Sequence, residues 1–158
     1  MEASQVTPYR SNTMRLGFIA QDLPHLQFAA HRTAKLMSKP IIGGFNRLKR
    51  VARFLSKHPR WAVQYGVQEM PVKLVIRADS DWAGDLIDRK STSSVHVIWG
   101  KHLIKSVVAG QATQALSSTE AEFLASVKGG SVGIGIRSMI TDFGGTVKYM
   151  TRETDSSG

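Results

Sequence analysis

The sequence contains no cysteine, and this absence excludes several classes of site. Disulfide bonds, zinc–thiolate centres and thiol nucleophiles all require cysteine. No apolar run approaches the roughly 20 residues that a membrane-spanning helix needs. The first ten residues, MEASQVTPYR, lack the apolar core of a secretory signal, so we expect an intracellular protein without assigning a compartment. With 158 residues, 42% of them hydrophobic, the chain can form a folded domain with a core.

Acidic residues are scarce in the first half of the chain. Residues 1–70 hold 11 Lys and Arg against 3 Asp and Glu, a net charge of +8, whereas residues 71–158 hold 10 against 9. Such a basic segment either binds a polyanion, most simply nucleic acid, or keeps a helical surface soluble. The charge alone leaves both interpretations open.

Helical periodicity is clearest in this basic half. Apolar residues recur at helical spacing over 25–38 and again over 45–58, with a break at IIGG between them. We expect the second helix to bury Phe45, Leu48, Ala52 and Leu55 and to expose a basic face. The candidate nucleic-acid-binding residues on that face are Arg47, Lys49, Arg50, Arg53 and Lys57.

From residue 71 the pattern is typical of an α/β domain. Alternation predicts a first strand over 72–77 that runs into Asp79, and then a hairpin over 93–99 and 102–108. A long helix follows over 119–143, with Ser117 or Ser118 as its N-cap, and a last strand lies near 147–151. We expect an antiparallel three-stranded meander with the last strand beside the first and parallel to it. The four glycines in KGGSVGIGI indicate a helix that is either weak or closely packed.

Three acids fall where these elements meet. Asp79 ends the first strand, Glu122 lies in the first turns of the helix, and Asp155 follows the last strand. If the first and last strands are neighbours, the three carboxylates would converge at one end of the sheet, where Mg²⁺ finds the oxygen ligands it prefers. The alternative is that acids often fall at element ends without sharing a function.

The other polar and aromatic residues nearby have expected structural roles. Asp85 and Asp88 should be exposed turn acids whose loss costs within about 0.5 kcal/mol. Asp81 is either a helper of Asp79 or a turn residue, and Glu120 is an N-terminal charge of the helix. The residues expected to serve the hairpin or the core are His96, His102, Trp82 and Trp99.

Several blocks of the sequence carry a family resemblance. ADSDWAGDLIDRKSTSS, GKHLIKS and QATQALSSTEAEFLASVKG occur in this order. They resemble the ribonuclease H domain of copia-type (Ty1/copia) retrotransposon polyproteins, in which SDxDWAG…RKSTSG precedes a G…I…S segment and ALSSxEAEY. Upstream, YRS, AQDLPHLQFAAHRTAKLMSKP and NRLKRVARFLSKHPRWAVQYG are similar to the segment that joins reverse transcriptase to ribonuclease H. The resemblance begins at about Tyr9 and covers nearly the whole chain.

The resemblance implies an α/β fold with a truncated, ribonuclease H-like mixed sheet over 71–158, preceded by a basic helical connection segment over 1–70. It implies catalytic and metal-binding roles for Asp79, Glu122 and Asp155, with Mg²⁺ (or Mn²⁺) as cofactor and an RNA–DNA hybrid as partner. Ser94 stands where the family has glycine, and the family's later elements, with a fourth acid, are not in this sequence.

Two functions therefore remain open. The first is metal-dependent cleavage of the RNA strand of an RNA–DNA hybrid. The second is a catalytically inactive, co-opted fragment that binds nucleic acid or serves as a subunit of a larger complex. In the second case, protein partners would cover the edge of the incomplete sheet.

Overall fold

A computed structural model describes residues 2–153. The chain divides into two compact units, one up to Gln64 and one from Tyr65 onward. Among the described residues, no helix combines the length and the apolar character needed to cross a membrane.

The first unit is built from three α-helices. They are α1 (Ala3–Ile19), α2 (Gln27–Ala34) and α3 (Ile42–Lys57), with a short 3₁₀ helix over Pro24–Leu26 directly before α2. The core combines Leu16, Ala20, Leu26 and Ala30 with the partly buried Leu48, Val51, Phe54 and Leu55 of α3.

The inward stripe of α3 differs from the expected one. Leu48 and Leu55 pack into the core as predicted, but Val51 and Phe54 join them and Ala52 is exposed. The prediction for Ala52 is therefore wrong. Turning the helix this way buries two larger side chains, which removes more apolar surface from water than burying an alanine would.

Helical periodicity does not predict α1, whose apolar residues are sparse and which contains Pro8. Long-range contacts fix it instead. Tyr9 is fully buried, and its hydroxyl donates to the Thr33 carbonyl at 2.7 Å; burial also raises the pKa of Tyr9. The neighbouring Arg10 donates from Nε to the Met37 carbonyl at 2.9 Å. Tyr9 and Arg10 thus hold α1 against the C-terminal end of α2.

The second unit is a four-stranded mixed sheet with one long helix. Its elements are β1 (Lys73–Asp81), β2 (Thr92–Trp99), β3 (His102–Gly110), α4 (Ser118–Asp142) and β4 (Tyr149–Glu153). The strand order is β3-β2-β1-β4, with β1 and β4 parallel and the other neighbours antiparallel. The predicted α/β class and strand order are confirmed. Ser117 caps α4 by accepting a hydrogen bond from the Glu120 N–H at 3.1 Å.

α4 packs on the face of the sheet that carries the even-numbered residues of β1. Leu74, Ile76 and Ala78 are buried there. The helix approaches closely through a stripe of buried small residues, namely Ala121, Ala125, Gly129 and Gly133. A Cβ at Gly129 would lie 3.1 Å from Ile76 Cγ2, and one at Gly133 would overlap Ile76 Cδ1. Close packing, rather than a weak helix, accounts for these two glycines.

Alanine substitutions at Gly130 and Gly133 of α4 should change the free energy of unfolding in opposite directions. A Cβ at Gly130 would meet no atom within 4 Å, so Gly130→Ala should raise the free energy of unfolding by up to about 1 kcal/mol through helix propensity. Gly133→Ala should lower it by about 1–3 kcal/mol, because Ile76 must leave its position in the core.

Urea unfolding followed by circular dichroism measures both changes. In the Ile76→Val background, which lacks Cδ1, Gly133→Ala should cost less than in the wild type. The same sign for the two glycine substitutions would contradict close packing of α4 on β1.

Candidate nucleic-acid and metal sites

The loop between β1 and β2 uses two of its acids to hold its own backbone. Asp85 Oδ1 accepts from the Ile87 N–H at 2.9 Å, and Asp88 Oδ1 accepts from the Lys90 N–H at 3.0 Å. Asp85 is only 7% exposed and Asp88 is half-buried. The predicted turn role of Asp85 and Asp88 is therefore confirmed, but their predicted exposure is wrong. Both carboxylates cap turns by accepting from an N–H two residues ahead, the usual role of aspartate in a turn.

The same loop is also anchored to the segment before α4. Lys90 Nζ donates to the Ala112 carbonyl at 2.7 Å, and Trp82 Nε1 donates to the Ala115 carbonyl at 3.1 Å. Trp82 is 49% exposed, so its predicted place in the core is wrong. The indole is held by its N–H at the loop surface. These contacts give much of the DWAGDLIDRKS stretch a structural role.

Glu122 meets Ser80 rather than Asp79. The Ser80 hydroxyl and the Ser80 N–H both donate to Glu122 Oε1, at 2.6 and 3.0 Å. Successive side chains of a strand point to opposite faces. Because Ser80 faces α4, Asp79 lies on the other face of the sheet, where it is exposed.

The expected juxtaposition of Asp79 with Glu122 is therefore wrong. Asp155, the third carboxylate, lies outside the described residues. The catalytic and metal-binding roles assigned to these three residues stay predictions. Asp81 follows Asp79 on the same strand, and its carboxylate occupies the space that a Cβ at Gly84 would need. Asp81 thus packs against the turn that follows β1, and its role as a helper of Asp79 stays a prediction.

The face that carries Asp79 is polar. His96 Nδ1 and Ser106 Oγ are 3.0 Å apart and hydrogen-bonded. Burial lowers the pKa of His96, the charge of Arg77 lowers it further, and the charge of Asp79 acts in the opposite direction. Arg77 also donates from Nε to Glu153 Oε2 at 2.9 Å. His96 thus has the structural role expected of it.

The described residues do not fit a two-metal site. Glu122 Oε2 is buried and has no hydrogen-bond partner among residues 2–153, a position that suits a cation. A metal site needs several such ligands, however. Within the same residues, no group of three or more His, Asp or Glu side chains is placed to hold a metal ion.

The basic face of α3 is exposed to solvent along the length of the helix. It consists of the five predicted residues Arg47, Lys49, Arg50, Arg53 and Lys57. Among residues 2–153, none of the five forms an ion pair with a carboxylate. Lys49 Nζ lies 4.9 Å from the centroid of the Phe45 ring. The face is therefore a row of cations with no anion of the described chain to neutralise it.

An aromatic cluster at the end of α3 was not predicted from the sequence. It consists of His25, Phe54, His58 and Trp61. The His25 and Trp61 ring centroids are 4.2 Å apart, and those of Phe54 and His58 are 4.9 Å apart. Only Phe54 and His58, four residues apart at the end of α3, have a spacing that could have indicated a contact; His25 and Trp61 join the cluster through contacts distant in sequence.

The buried turn acid gives a direct test of the loop. Asp85→Ala should lower the free energy of unfolding by about 1 kcal/mol, because the Ile87 N–H loses its acceptor in a partly buried turn. Asp142→Ala, at an exposed acid of α4, should change it by within about 0.5 kcal/mol. Urea unfolding provides both values. Equal, small changes for the two variants would contradict the capping role of Asp85.

Comparison with known proteins found relatives that match most of this chain. The chain is 33% identical over 138 residues to the retrovirus-related Pol polyprotein from transposon RE2 of Arabidopsis thaliana, and 30% identical over 138 residues to that from transposon RE1. Each match covers 87% of this chain but only 9% of the polyprotein. The secreted RxLR effector protein 161 of Plasmopara viticola is 33% identical over 102 residues, which are 65% of this chain and 71% of that protein.

Two further comparisons gave nothing: no protein-family model matches the chain, and no solved structure matches it significantly. The segments of this chain matched by the effector and by the two polyproteins overlap, because each match covers more than half of the chain. The chain belongs to a family of proteins related to retrotransposon Pol polyproteins.

Proposed function

We propose that this chain is a retrotransposon-derived, catalytically inactive protein that binds nucleic acid through the basic face of α3. Its second unit is ribonuclease H-like in this proposal, supported by the strand order β3-β2-β1-β4 and by the sequence resemblance. The observation that carries the binding function is the row of five exposed cations without carboxylate partners among the described residues.

The geometry of α3 suits a phosphate backbone. Ten residues separate Arg47 from Lys57, and with a rise of 1.5 Å per residue the face is about 15 Å long. Its other side is held in the core by Leu48 and Phe54, so the cations are presented from a fixed helix. Each phosphate neutralised by such a residue releases counterions, which makes binding salt-dependent and largely independent of base sequence.

The positions of Asp79 and Glu122 relative to the sheet support the proposal that the protein is catalytically inactive. Glu122 and Asp79 lie on opposite sides of the sheet, and Glu122 Oε1 is already occupied by two donors from Ser80. A single carboxylate oxygen with no partner is a poor match to a metal-dependent nuclease, which needs several carboxylates around its ions.

Removing cations from α3 should weaken binding to every nucleic acid sequence alike. A plot of log affinity for a duplex against log salt concentration has a negative slope. In the variant with Arg47, Lys49, Arg50 and Arg53 all changed to alanine, this slope should become less negative by about 3–4. Fluorescence anisotropy with a labelled oligonucleotide, at several salt concentrations, measures the slope.

The matched control removes four exposed lysines from the second unit, namely Lys73, Lys101, Lys105 and Lys128. This control carries the same net charge as the α3 variant. Equal losses in the two variants would show that net charge, rather than the face of α3, drives binding.

The alternative function is Mg²⁺- or Mn²⁺-dependent cleavage of RNA in an RNA–DNA hybrid. The observation in its favour is the buried Glu122 Oε2, which has no hydrogen-bond partner among the described residues.

Incubation of a labelled hybrid with the wild type, Asp79→Asn and Glu122→Gln distinguishes the inactive protein from the enzyme. We expect intact RNA in all three, and the same melting temperature with and without millimolar Mg²⁺. Cleavage by the wild type that Asp79→Asn abolishes would establish the enzyme and overturn the inactive assignment.

A further inference from the structure

We propose that the aromatic cluster of His25, Phe54, His58 and Trp61 is a stacking site for an unpaired base, so that the ligand of α3 is single-stranded nucleic acid. This inference rests on the proposed function, because the phosphates of the same strand would lie on the basic face of α3. It goes further in assigning the kind of nucleic acid and the residue that selects it.

The indole of Trp61 is held in place from one side. The His25 ring lies 4.2 Å away, centroid to centroid, with an angle of 32° between the planes. The Phe54 ring meets His25 edge-on, at 5.7 Å and 66°. This arrangement fixes the indole before any ligand binds, so little side-chain entropy is lost when a base stacks on it.

The rest of the indole is open. Trp61 is 50% exposed although the His25 ring packs against it, so part of the residue remains accessible to a ligand. Trp82 is about as exposed, at 49%, but its indole is held through its N–H, whereas the Trp61 indole is held through its ring contact with His25. An immobilised aromatic face turned to solvent is what a base can stack on.

The position of the cluster links it to the basic face. Phe54 belongs to α3, and Trp61 follows the last residue of the helix, Lys57, by four positions. Arg53, Lys57 and Arg60 are exposed and adjoin Phe54, His58 and Trp61 in the sequence. A strand whose phosphates contact these cations would bring its bases near the indole. In a duplex the base faces are already stacked inside the helix, so only an unpaired strand can use both features.

The test compares ligands of equal length with the full chain. Anisotropy is measured with a labelled single-stranded thymidine oligonucleotide and with a duplex of the same length, for the wild type, Trp61→Ala and Trp61→Phe. We expect Trp61→Ala to weaken single-strand binding roughly tenfold or more and to leave duplex binding unchanged. Trp61→Phe retains an aromatic face and should retain most of the affinity.

Tryptophan fluorescence gives a second readout that does not depend on the alanine variant folding. Stacking should quench the emission of the wild type on addition of the single strand, and Trp61→Phe should show much less quenching. Equal quenching in the two proteins would overturn the inference, as would an equal loss of single-strand and duplex affinity in Trp61→Ala. Wild-type protein that binds neither ligand at low salt would instead overturn the proposed function.

Discussion

The close contact between α4 and β1 determines which side chains of the second unit can act together. Gly129 and Gly133 let the helix approach Ile76 and Ala78, and this fixes the even-numbered residues of β1 on the helix side. Ser80 therefore meets Glu122, and Asp79 lies on the opposite face. A shift of one residue in the strand would exchange these two positions but would also expose Leu74 and Ile76. Burial of Leu74 and Ile76 thus determines which face of the sheet carries Asp79.

The remaining acids of the stretch that follows β1 are used to build a loop. Asp85 and Asp88 accept backbone N–H groups, while Lys90 and Trp82 hold the loop against the segment before α4. The DWAGDLIDRKS stretch therefore has a structural role as a loop anchored to the segment before α4. The excess of cations lies in the other unit, where α3 presents them with few acids nearby. The basic face of α3 and the acidic stretch after β1 are thus separate features of one chain.

Much of this fold follows from the sequence because its patterns are strong. The alternation over 72–77, interrupted by Val75, indicates the first strand, and the hairpin and the capped helix indicate the others and their order. The same alternation could have placed Asp79, since Leu74 and Ile76 require the even face to be the buried one. α1 could not be found in this way, because Tyr9 and Arg10 hold it through contacts with residues 24 or more positions away. The stacking of Trp61 on His25 depends on a similar long-range approach. The exposure of Asp85 was misjudged because a turn acid can be buried by the backbone that it caps.

In our proposal, nucleic acid binds along α3 and not at the end of β1. Hydrogen–deuterium exchange of the full chain, with and without a saturating single-stranded oligonucleotide, tests it directly. We expect slower exchange over residues 42–61 and unchanged exchange over residues 79–81 and the first turns of α4. Protection confined to the end of β1 and the start of α4, with α3 unaffected, would contradict it and would place the binding site at the carboxylates.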